Sequence, residues 1–376
     1  MVYNEFHGKQ LSALGLGCMR LPHGPKGDAD IDVAQVREMI ACAMKQGINY
    51  YDTAWGYHNG NSETVIGEEL SKYPRDSYYL ATKFPGYDLS NMPKVRSIFE
   101  EQLRKCKVEY FDFYLFHNVC EMNIDAYLDP QYGIYDYLME QKKNGRIRHL
   151  GFSCHGQYKV LKRFLEAYGS DMEFCQLQLN YLDWTFQDDE AKVGLLNEYH
   201  IPVWVMEPLR GGKLASLEPA YEEKLKALRP EETIPAWAFR FLQSLPEVTM
   251  ILSGMSNMEQ LTENIQTFET VRPLNEVEMA TLAEIVEAML MKKTLPCTSC
   301  RYCTEYCPQK LDIPYLISLY NEHTMSDGGF FAPMALSKVD RDKWPSACLH
   351  CRQCEKVCPQ QIKISEAMAD FSSKLL

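Results

Sequence analysis

Apolar and polar positions along the first part of the chain alternate between two kinds of segment. Short runs rich in apolar and β-branched residues are followed by longer stretches in which apolar residues recur every three or four positions. The first pattern predicts buried strands and the second predicts amphipathic helices. The strand-like runs are SALGLGCMRL, INYYDTA, SYYLATKF, FDFYLFHNV, RHLGFSCH, FCQLQLNYL, IPVWVMEPL and VTMILSGM.

Helical patterns such as VAQVREMIACAMKQG, SETVIGEELSKY, VRSIFEEQLRKCK and MEQLTENIQTF separate these runs, and Gly47 and Gly145 stand where helices are expected to end. Eight alternations in about 270 residues are the number and length of a (β/α)8 TIM barrel. An open doubly wound sheet is the alternative, but it usually begins with GxGxxG, and GLGCMR lacks that spacing. We therefore predict an α/β fold with a barrel over residues 1–272.

The remaining residues predict a helical tether and a second domain. NEVEMATLAEIVEAMLMKK, between Pro273 and Pro296, has the pattern of an amphipathic helix, and we assign 273–296 to the tether. Residues 297–376 predict a smaller, mostly helical domain with helices in DIPYLISLYNEH and KISEAMADFSSKLL. A loop is expected around MSDGGFFAPMALS.

Composition narrows the classes of function. The 376 residues include 39 Lys and Arg and 51 Asp and Glu, a net charge of -12, which argues against nucleic acid and anionic membranes as partners. No apolar run reaches the length of a membrane helix, and MVYNEFHGKQ does not resemble a signal peptide. We expect a cytoplasmic location, where the fourteen cysteines are more often metal ligands or free thiols than disulfides.

Eight of the fourteen cysteines occur in two copies of one cassette, CxxCxxCxxxCP. The second copy starts 41 positions after the last cysteine of the first. The cassette cysteines are Cys297, Cys300, Cys303 and Cys307 in the first copy and Cys348, Cys351, Cys354 and Cys358 in the second.

This spacing resembles that of bacterial two-cluster ferredoxins, which hold [4Fe–4S] clusters and in which the fourth cysteine usually ligates the other cluster. The resemblance implies a ferredoxin-like domain with two [4Fe–4S] clusters. It places Cys358 with the first three cysteines of the first cassette and Cys307 with those of the second. Zinc sites normally use separate CxxC pairs, and disulfides do not suit the expected compartment.

Polar residues of complementary chemistry stand near the ends of consecutive predicted strands, where barrel active sites lie. They are Asp52, Tyr57, Lys83 and His117. Each alone has an ordinary structural role, such as an N-cap for the aspartate or packing for the tyrosine. Together they suit carbonyl reduction, because a lysine beside a tyrosine favours its ionised form, a carboxylate holds the lysine, and a histidine can bind the substrate oxygen.

GINYYDTAWGY, SETVIGEEL, LATKF and YLFHNV resemble the aldo-keto reductase family over about residues 8–268. The resemblance implies that the four residues are its catalytic tetrad, with Tyr57 as general acid or base in hydride transfer from or to a nicotinamide. It also implies that GFSCHG, QLQLNYL, EPLRGGKLA and ILSGMSNMEQLTENI bind the dinucleotide. The residues so implied are Ser153, Gln176, Leu209, Gly211, Gly212, Gly254, Gln260 and Asn264.

The family usually grips the 2′-phosphate of NADP with a cation, but SGMSNMEQ contains no Arg or Lys, so NAD is also expected as a cofactor. Three hypotheses follow. The first is an oxidoreductase acting on a small carbonyl or alcohol, with clusters that are structural or pass electrons. The second is an electron-transfer enzyme that uses a flavin or a redox partner protein to couple two-electron to one-electron chemistry. The third is a non-catalytic barrel scaffold.

Overall fold

The structure is a computed structural model and describes residues 1–375. The chain forms two compact units, Met1–Leu282 and a second unit that begins at Ala283. The division falls inside the helix that the sequence predicted as a tether.

Eight parallel strands close into a barrel, and each predicted strand-like run supplies one of them. The order around the barrel is β10-β3-β4-β5-β6-β7-β8-β9. The barrel strands are β3 Leu14–Gly17, β4 Tyr50–Asp52, β5 Tyr79–Phe84, β6 Phe111–Val119, β7 Ile147–Cys154, β8 Cys175–Gln178, β9 Val203–Met206 and β10 Val248–Gly254. The predicted TIM barrel is confirmed.

An antiparallel hairpin, which the sequence analysis did not predict, precedes the barrel. Its strands are β1 Tyr3–Phe6 and β2 Lys9–Ser12. The Phe6 ring packs against Trp204 and Phe113 of the barrel interior, at centroid distances of 4.8 and 5.8 Å. These contacts fill the interior near the amino ends of the strands, so polar chemistry belongs at the carboxyl ends.

Helices surround the strands of the first unit. Helix α1 begins after Asp32, whose carboxylate accepts a hydrogen bond from the Gln35 amide at 3.0 Å. Gly47 and Gly145 follow α1 and α5 with φ of 92° and 74°, which fits their predicted role at helix ends. The helices are α1 Val33–Lys45, α2 Ser62–Leu70, α3 Val95–Cys106, α4 Ile124–Leu128, α5 Ile134–Lys143, α6 Tyr158–Tyr168, α7 Asp183–Phe186, α8 Asp189–Glu198, α9 Pro219–Leu228, α10 Ile234–Gln243 and α11 Met258–Thr267.

The rest of the chain is helical, as predicted. The helices are α12 Glu276–Lys293, α13 Tyr302–Glu305, α14 Ile313–Met325, α15 Phe331–Leu336 and α16 Ile364–Lys374. The expectation of a loop throughout MSDGGFFAPMALS is wrong for α15. Phe331, Met334 and Ala335 are spaced at i, i+3 and i+4 and are all buried, so this segment gains a packed face as a helix.

The second unit has its own apolar core, built mainly from α14, α15 and α16. Leu316 and Ile317 of α14 and Met368 and Phe371 of α16 are almost fully buried in it. The Tyr320 hydroxyl also donates to the Asp370 carboxylate at 2.7 Å, linking α14 to α16. Among the described residues, no helix combines the length and apolar character needed to cross a bilayer.

Candidate active site and cysteine cavities

The four predicted catalytic residues come from three neighbouring strands of the barrel. Asp52 ends β4, Lys83 is the penultimate residue of β5, and His117 lies near the end of β6. Tyr57 opens a short 3₁₀ turn just after β4. Parallel pairing of β4 with β5 and of β5 with β6 brings these positions to one end of the barrel.

A buried ion pair lies at the centre of the site. Lys83 Nζ is 2.5 Å from Asp52 Oδ1 and donates to the Thr53 carbonyl at 2.8 Å. Lys83 is 1% exposed and Asp52 is 3% exposed. Burial alone would lower the pKa of Lys83, but the charge of Asp52 and its hydrogen bond with the ammonium raise that pKa. The lysine therefore stays charged at neutral pH.

Tyr57 lies beside this lysine. Lys83 Nζ is 5.1 Å from the centroid of the Tyr57 ring. Burial raises the pKa of Tyr57 above its ordinary value of 10.0, and the Lys83 cation opposes that rise without cancelling it. The sequence argument considered only the lysine. With burial included, the phenol is protonated at neutral pH and has a proton to donate.

His117 faces the tyrosine from the next strand but one. The two rings meet edge to face at a centroid distance of 6.0 Å. Burial, helped by Lys83 and His155, places the pKa of His117 well below 6.5. The neutral imidazole carries one N–H donor, and its buried Nδ1 has no hydrogen-bond partner within the described chain. A substrate oxygen is a suitable partner for this ring.

A polar network behind β5 positions Lys83. The fully buried Glu63 carboxylate accepts from Thr82 Oγ1 at 2.6 Å, Gln102 Nε2 at 2.7 Å and Lys105 Nζ at 2.8 Å. Gln102 Nε2 also donates to the Lys83 carbonyl at 2.9 Å. Helices α2 and α3 thus hold the end of β5 through a network in which the buried polar groups are hydrogen-bonded to one another.

Sequence reasoning missed this network and also Tyr87. The Tyr87 ring lies 5.2 Å from His117, nearly perpendicular to it. Burial raises the pKa of Tyr87 to about 12. The tyrosine follows β5 in the segment KFPGYD, so its place after a strand end was the available signal.

Ser153 and Gln176, the residues expected to hold the nicotinamide amide, lie on paired strands next to the tetrad. Ser153 Oγ accepts from the Asn118 amide at 2.7 Å. Gln176 lies beside Asp52 and is 3% exposed. Its Oε1 is buried and accepts no hydrogen bond from any residue the structure describes. An unpaired amide oxygen there fits the amide N–H₂ of a nicotinamide.

The segment after β9 carries three of the residues expected at the pyrophosphate. The Leu209 carbonyl accepts from the Gly212 amide at 2.9 Å, which closes a tight turn. Gly211 and Gly212 have φ of 68° and 97°, a region that favours glycine. Buried Arg210 holds the turn, because its Nε lies 3.0 and 3.1 Å from the carboxylate oxygens of Asp183.

The last three expected cofactor residues lie at the end of β10 and in α11. Gly254 ends β10. Gln260 Oε1 accepts from the Ser256 amide at 2.8 Å, and the buried Asn264 Nδ2 donates to Ser253 Oγ at 3.1 Å. Both amide side chains therefore already form hydrogen bonds with other residues of the protein, and these bonds shape the segment between β10 and α11.

The eight cassette cysteines line two cavities of the second unit. A cavity of about 320 Å³ is lined by Cys297, Cys300, Cys303 and Cys358. A cavity of about 360 Å³ is lined by Cys307, Cys348, Cys351 and Cys354. The fourth cysteine of each cassette thus lies with the first three of the other.

The chemistry of these cavities fits a cluster better than a single ion. Apolar side chains such as Ile317 and Ile362 complete one cavity, and Leu311 and Met368 line the other. In residues 1–375, no three His, Cys, Asp or Glu side chains surround a point as ligands of one metal ion would. Four thiols around one largely apolar space match the Cys₄ set of an iron–sulfur cluster.

Fold and site together define an oxidoreductase barrel joined to an iron–sulfur unit. A sequence profile of the aldo/keto reductase family matches residues 13–287, and a profile of the 4Fe-4S dicluster domain matches residues 296–362. The chain belongs to the aldo/keto reductase family and carries a C-terminal 4Fe-4S dicluster domain. The predicted family, fold and enzyme class are confirmed.

The relatives it resembles include a reductase and a dehydrogenase. The NADH-specific methylglyoxal reductase of Escherichia coli K12 is 25% identical over 322 residues, covering 74% of this chain and 96% of that protein. L-galactose dehydrogenase of Arabidopsis thaliana is 26% identical over 311 residues, covering 75% and 92%. The structure of aldo-keto reductase AKR11C1 from Bacillus halodurans has the same fold, with a TM-score of 0.62, 24% identity and coverage of 76% and 95%.

Proposed function

We propose that the barrel interconverts a small carbonyl compound and its alcohol with NADH or NADPH, and that Tyr57 is the general acid and base. The arrangement of Asp52, Tyr57, Lys83 and His117 carries this proposal. A buried ion pair lies beside the phenol, and a neutral imidazole meets the phenol ring edge to face.

A nicotinamide dinucleotide, when bound, supplies or accepts the hydride. In the reducing direction, His117 donates its N–H to the substrate carbonyl oxygen and orients it. Tyr57 donates its hydroxyl proton to the same oxygen. The charge left on the phenolate is stabilised by the Lys83 ammonium, and Asp52 keeps that ammonium in place. In the oxidising direction, Tyr57 takes the proton back from the alcohol.

The residues that would hold the dinucleotide follow the order of the strands. Ser153 and Gln176 would bind the nicotinamide amide, with the unpaired Gln176 Oε1 as acceptor. The residues expected at the phosphates are Leu209, Gly211, Gly212, Gly254, Gln260 and Asn264. The choice between NAD and NADP stays open, because residues 253–264 contain no lysine or arginine.

We also propose that the eight cassette cysteines ligate two [4Fe–4S] clusters, one in each cavity. A bound cluster supplies one-electron transfer. All fourteen cysteines are free of disulfide bonds, which leaves the eight cassette thiols available as ligands.

The test is an anaerobic screen of the purified protein against small aldehydes and ketones, including methylglyoxal, with NADH and with NADPH. The absorbance of the reduced dinucleotide reports turnover. We expect carbonyl-dependent oxidation of at least one dinucleotide, with an equal amount of alcohol formed. Oxidation that proceeds without a carbonyl and without alcohol product would contradict the proposal.

A second function, electron transfer, is favoured by the proximity of the two cysteine sets. Burial is the main cause of the raised pKa of Cys354. Cys303, which belongs to the other set, lies near enough to raise the pKa of Cys354 a little further. Clusters in these cavities would be neighbours and could pass electrons onward to a flavin or a redox partner protein. Bleaching of the cluster absorbance by NADH or NADPH in the absence of a carbonyl would support this function.

A further inference from the structure

Arg20, the third residue after β3, lies across two segments expected to bind the dinucleotide. If Gly254 carried a Cβ, that atom would lie 3.1 Å from Arg20 Cβ and 3.3 Å from its Cγ and Cδ. A Cβ on Gly211 would lie 3.4 Å from Arg20 Nη2. The side chain therefore runs along the end of β10 and places its guanidinium beside the turn after β9.

The chain holds Arg20 in this position. Its carbonyl accepts a hydrogen bond from Ser256 Oγ at 2.9 Å, which ties the segment after β3 to the segment after β10. Glycine at 254 leaves the space that the arginine side chain occupies. Its charge also reaches the turn after β9: burial raises the pKa of Glu207, while Arg210 and Arg20 oppose that rise.

The guanidinium of Arg20 is available to a ligand. The residue is exposed, and within residues 1–375 no carboxylate lies within ion-pair distance of it. Arg210, on the neighbouring turn, differs because its guanidinium is buried against Asp183. An exposed guanidinium presents several N–H donors in a fixed plane, which suits phosphate oxygens.

This position supplies the charge that the local sequence lacks. Residues 253–264 carry no lysine or arginine, although a dinucleotide phosphate would lie close to them if the barrel binds as proposed. We infer that Arg20 binds a phosphate group of the nicotinamide dinucleotide, either the pyrophosphate or the 2′-phosphate of NADP. This inference rests on the proposed function, since it requires a dinucleotide at the mouth of the barrel.

The experiment measures the dissociation constants of NADH and NADPH for the full-length protein with clusters, by quenching of intrinsic fluorescence. The variants are Arg20→Ala, Arg20→Lys and, as a matched control, Lys26→Ala, which removes an exposed cation from the same segment between β3 and α1. We expect Arg20→Ala to weaken binding about 10- to 100-fold, the usual effect of losing a charged hydrogen-bond partner. The affinity of Arg20→Lys should lie between those of wild type and Arg20→Ala, and the affinity of Lys26→Ala should match wild type.

Comparison of NADH with NADPH distinguishes binding to the pyrophosphate, which both carry, from binding to the 2′-phosphate, which only NADPH carries. Equal loss of affinity for NADH and NADPH in Arg20→Ala assigns the arginine to the pyrophosphate, and loss for NADPH alone assigns it to the 2′-phosphate. Wild-type affinity for both in Arg20→Ala, or loss only in Lys213→Ala on the neighbouring turn, would overturn the inference and leave the proposed function standing. Wild-type protein that binds neither dinucleotide would overturn both.

Discussion

The barrel mouth and the cysteine cavities differ in how their ionisable side chains are paired. At the mouth and directly behind β5, the buried charges are paired by the chain itself: Lys83 with Asp52, and Glu63 with Lys105. In the second unit, eight thiols and apolar side chains line the cavities, and burial raises the pKa of Cys303 to about 11 and of Cys354 to about 12. As ligands of the proposed clusters, these thiolates would be stabilised by the positive charge of the iron.

The difference indicates what each site depends on. The geometry of the proposed catalytic residues is set by hydrogen bonds within the barrel, so it should be preorganised without the clusters. The geometry of the second unit should depend on the proposed clusters, because metal binding and folding are coupled in small metal-binding domains. Each prediction below probes one side of this contrast.

The largest effect is expected for Tyr57→Phe. Removing the hydroxyl removes the proposed proton donor, so kcat/KM for carbonyl reduction should fall about 10²- to 10⁴-fold. Steady-state kinetics measure this, and iron content should not change.

Tyr79→Phe is the matched control for that variant. Tyr79 begins β5, at the end of the strand opposite Lys83. Its loss should leave kcat/KM near the wild-type value. Full activity of Tyr57→Phe on every accepted substrate would favour the scaffold hypothesis over the tetrad.

Lys83→Met should destabilise the barrel. It leaves the buried Asp52 carboxylate without its cation, which typically costs about 3–5 kcal/mol of unfolding free energy. Denaturant unfolding followed by tryptophan fluorescence measures the loss. The exposed control Lys45→Met on α1 should have little effect, and Asp52→Asn combined with Lys83→Met should recover part of the stability. A wild-type transition in Lys83→Met would show that the pair does not hold the site together.

Paired cysteine substitutions test the exchange of the fourth ligand between cassettes. Wild type should hold about eight iron atoms per chain. Cys297→Ser with Cys358→Ser should lose one cluster, because both cysteines line the same cavity, and retain about four iron atoms. Cys348→Ser with Cys358→Ser should lose both clusters.

Iron analysis and electron paramagnetic resonance measure these differences, with Cys42→Ser on α1 as control. If the two double variants exchanged their iron contents, each cassette would hold its own cluster.

The smallest effect is expected from pH near neutrality. The pKa of His117 is well below 6.5 and that of Tyr57 is above 10.0. Neither residue therefore changes its charge through the ordinary range of histidine. Carbonyl reduction should have a flat kcat/KM there and decline only as alkaline pH removes the phenol proton. A decline centred on the ordinary histidine pKa would show that His117 is solvated and titrates normally.

Much of the barrel, and the positions of the four candidate residues at its strand ends, could be predicted because both follow local rules. Buried strands have apolar runs, and Asp52, Lys83 and His117 each stand near the end of such a run. The hairpin β1–β2 was missed because its four-residue strands are too short to show a clear alternation. Helix α15 was missed because the nearby Gly328 and Gly329 favoured a turn.

The position of Arg20 could not be read from local sequence at all. Its side chain meets Gly211 and Gly254, which lie some two hundred positions further along the chain. Only closure of the barrel, which pairs β3 with β10, brings these residues together. The pKa of Tyr57 was likewise beyond the sequence, because it depends on how deeply the fold buries the ring.

The most direct test of the contrast is activity as a function of iron content. The clusters would be removed stepwise under argon with an oxidant and a chelator, and carbonyl reduction by the preferred dinucleotide would be measured at each step. The account predicts that kcat/KM per protein molecule stays constant as iron falls to zero, while the helical second unit loses structure. A kcat/KM that falls in proportion to iron would contradict it and make the clusters part of the reaction.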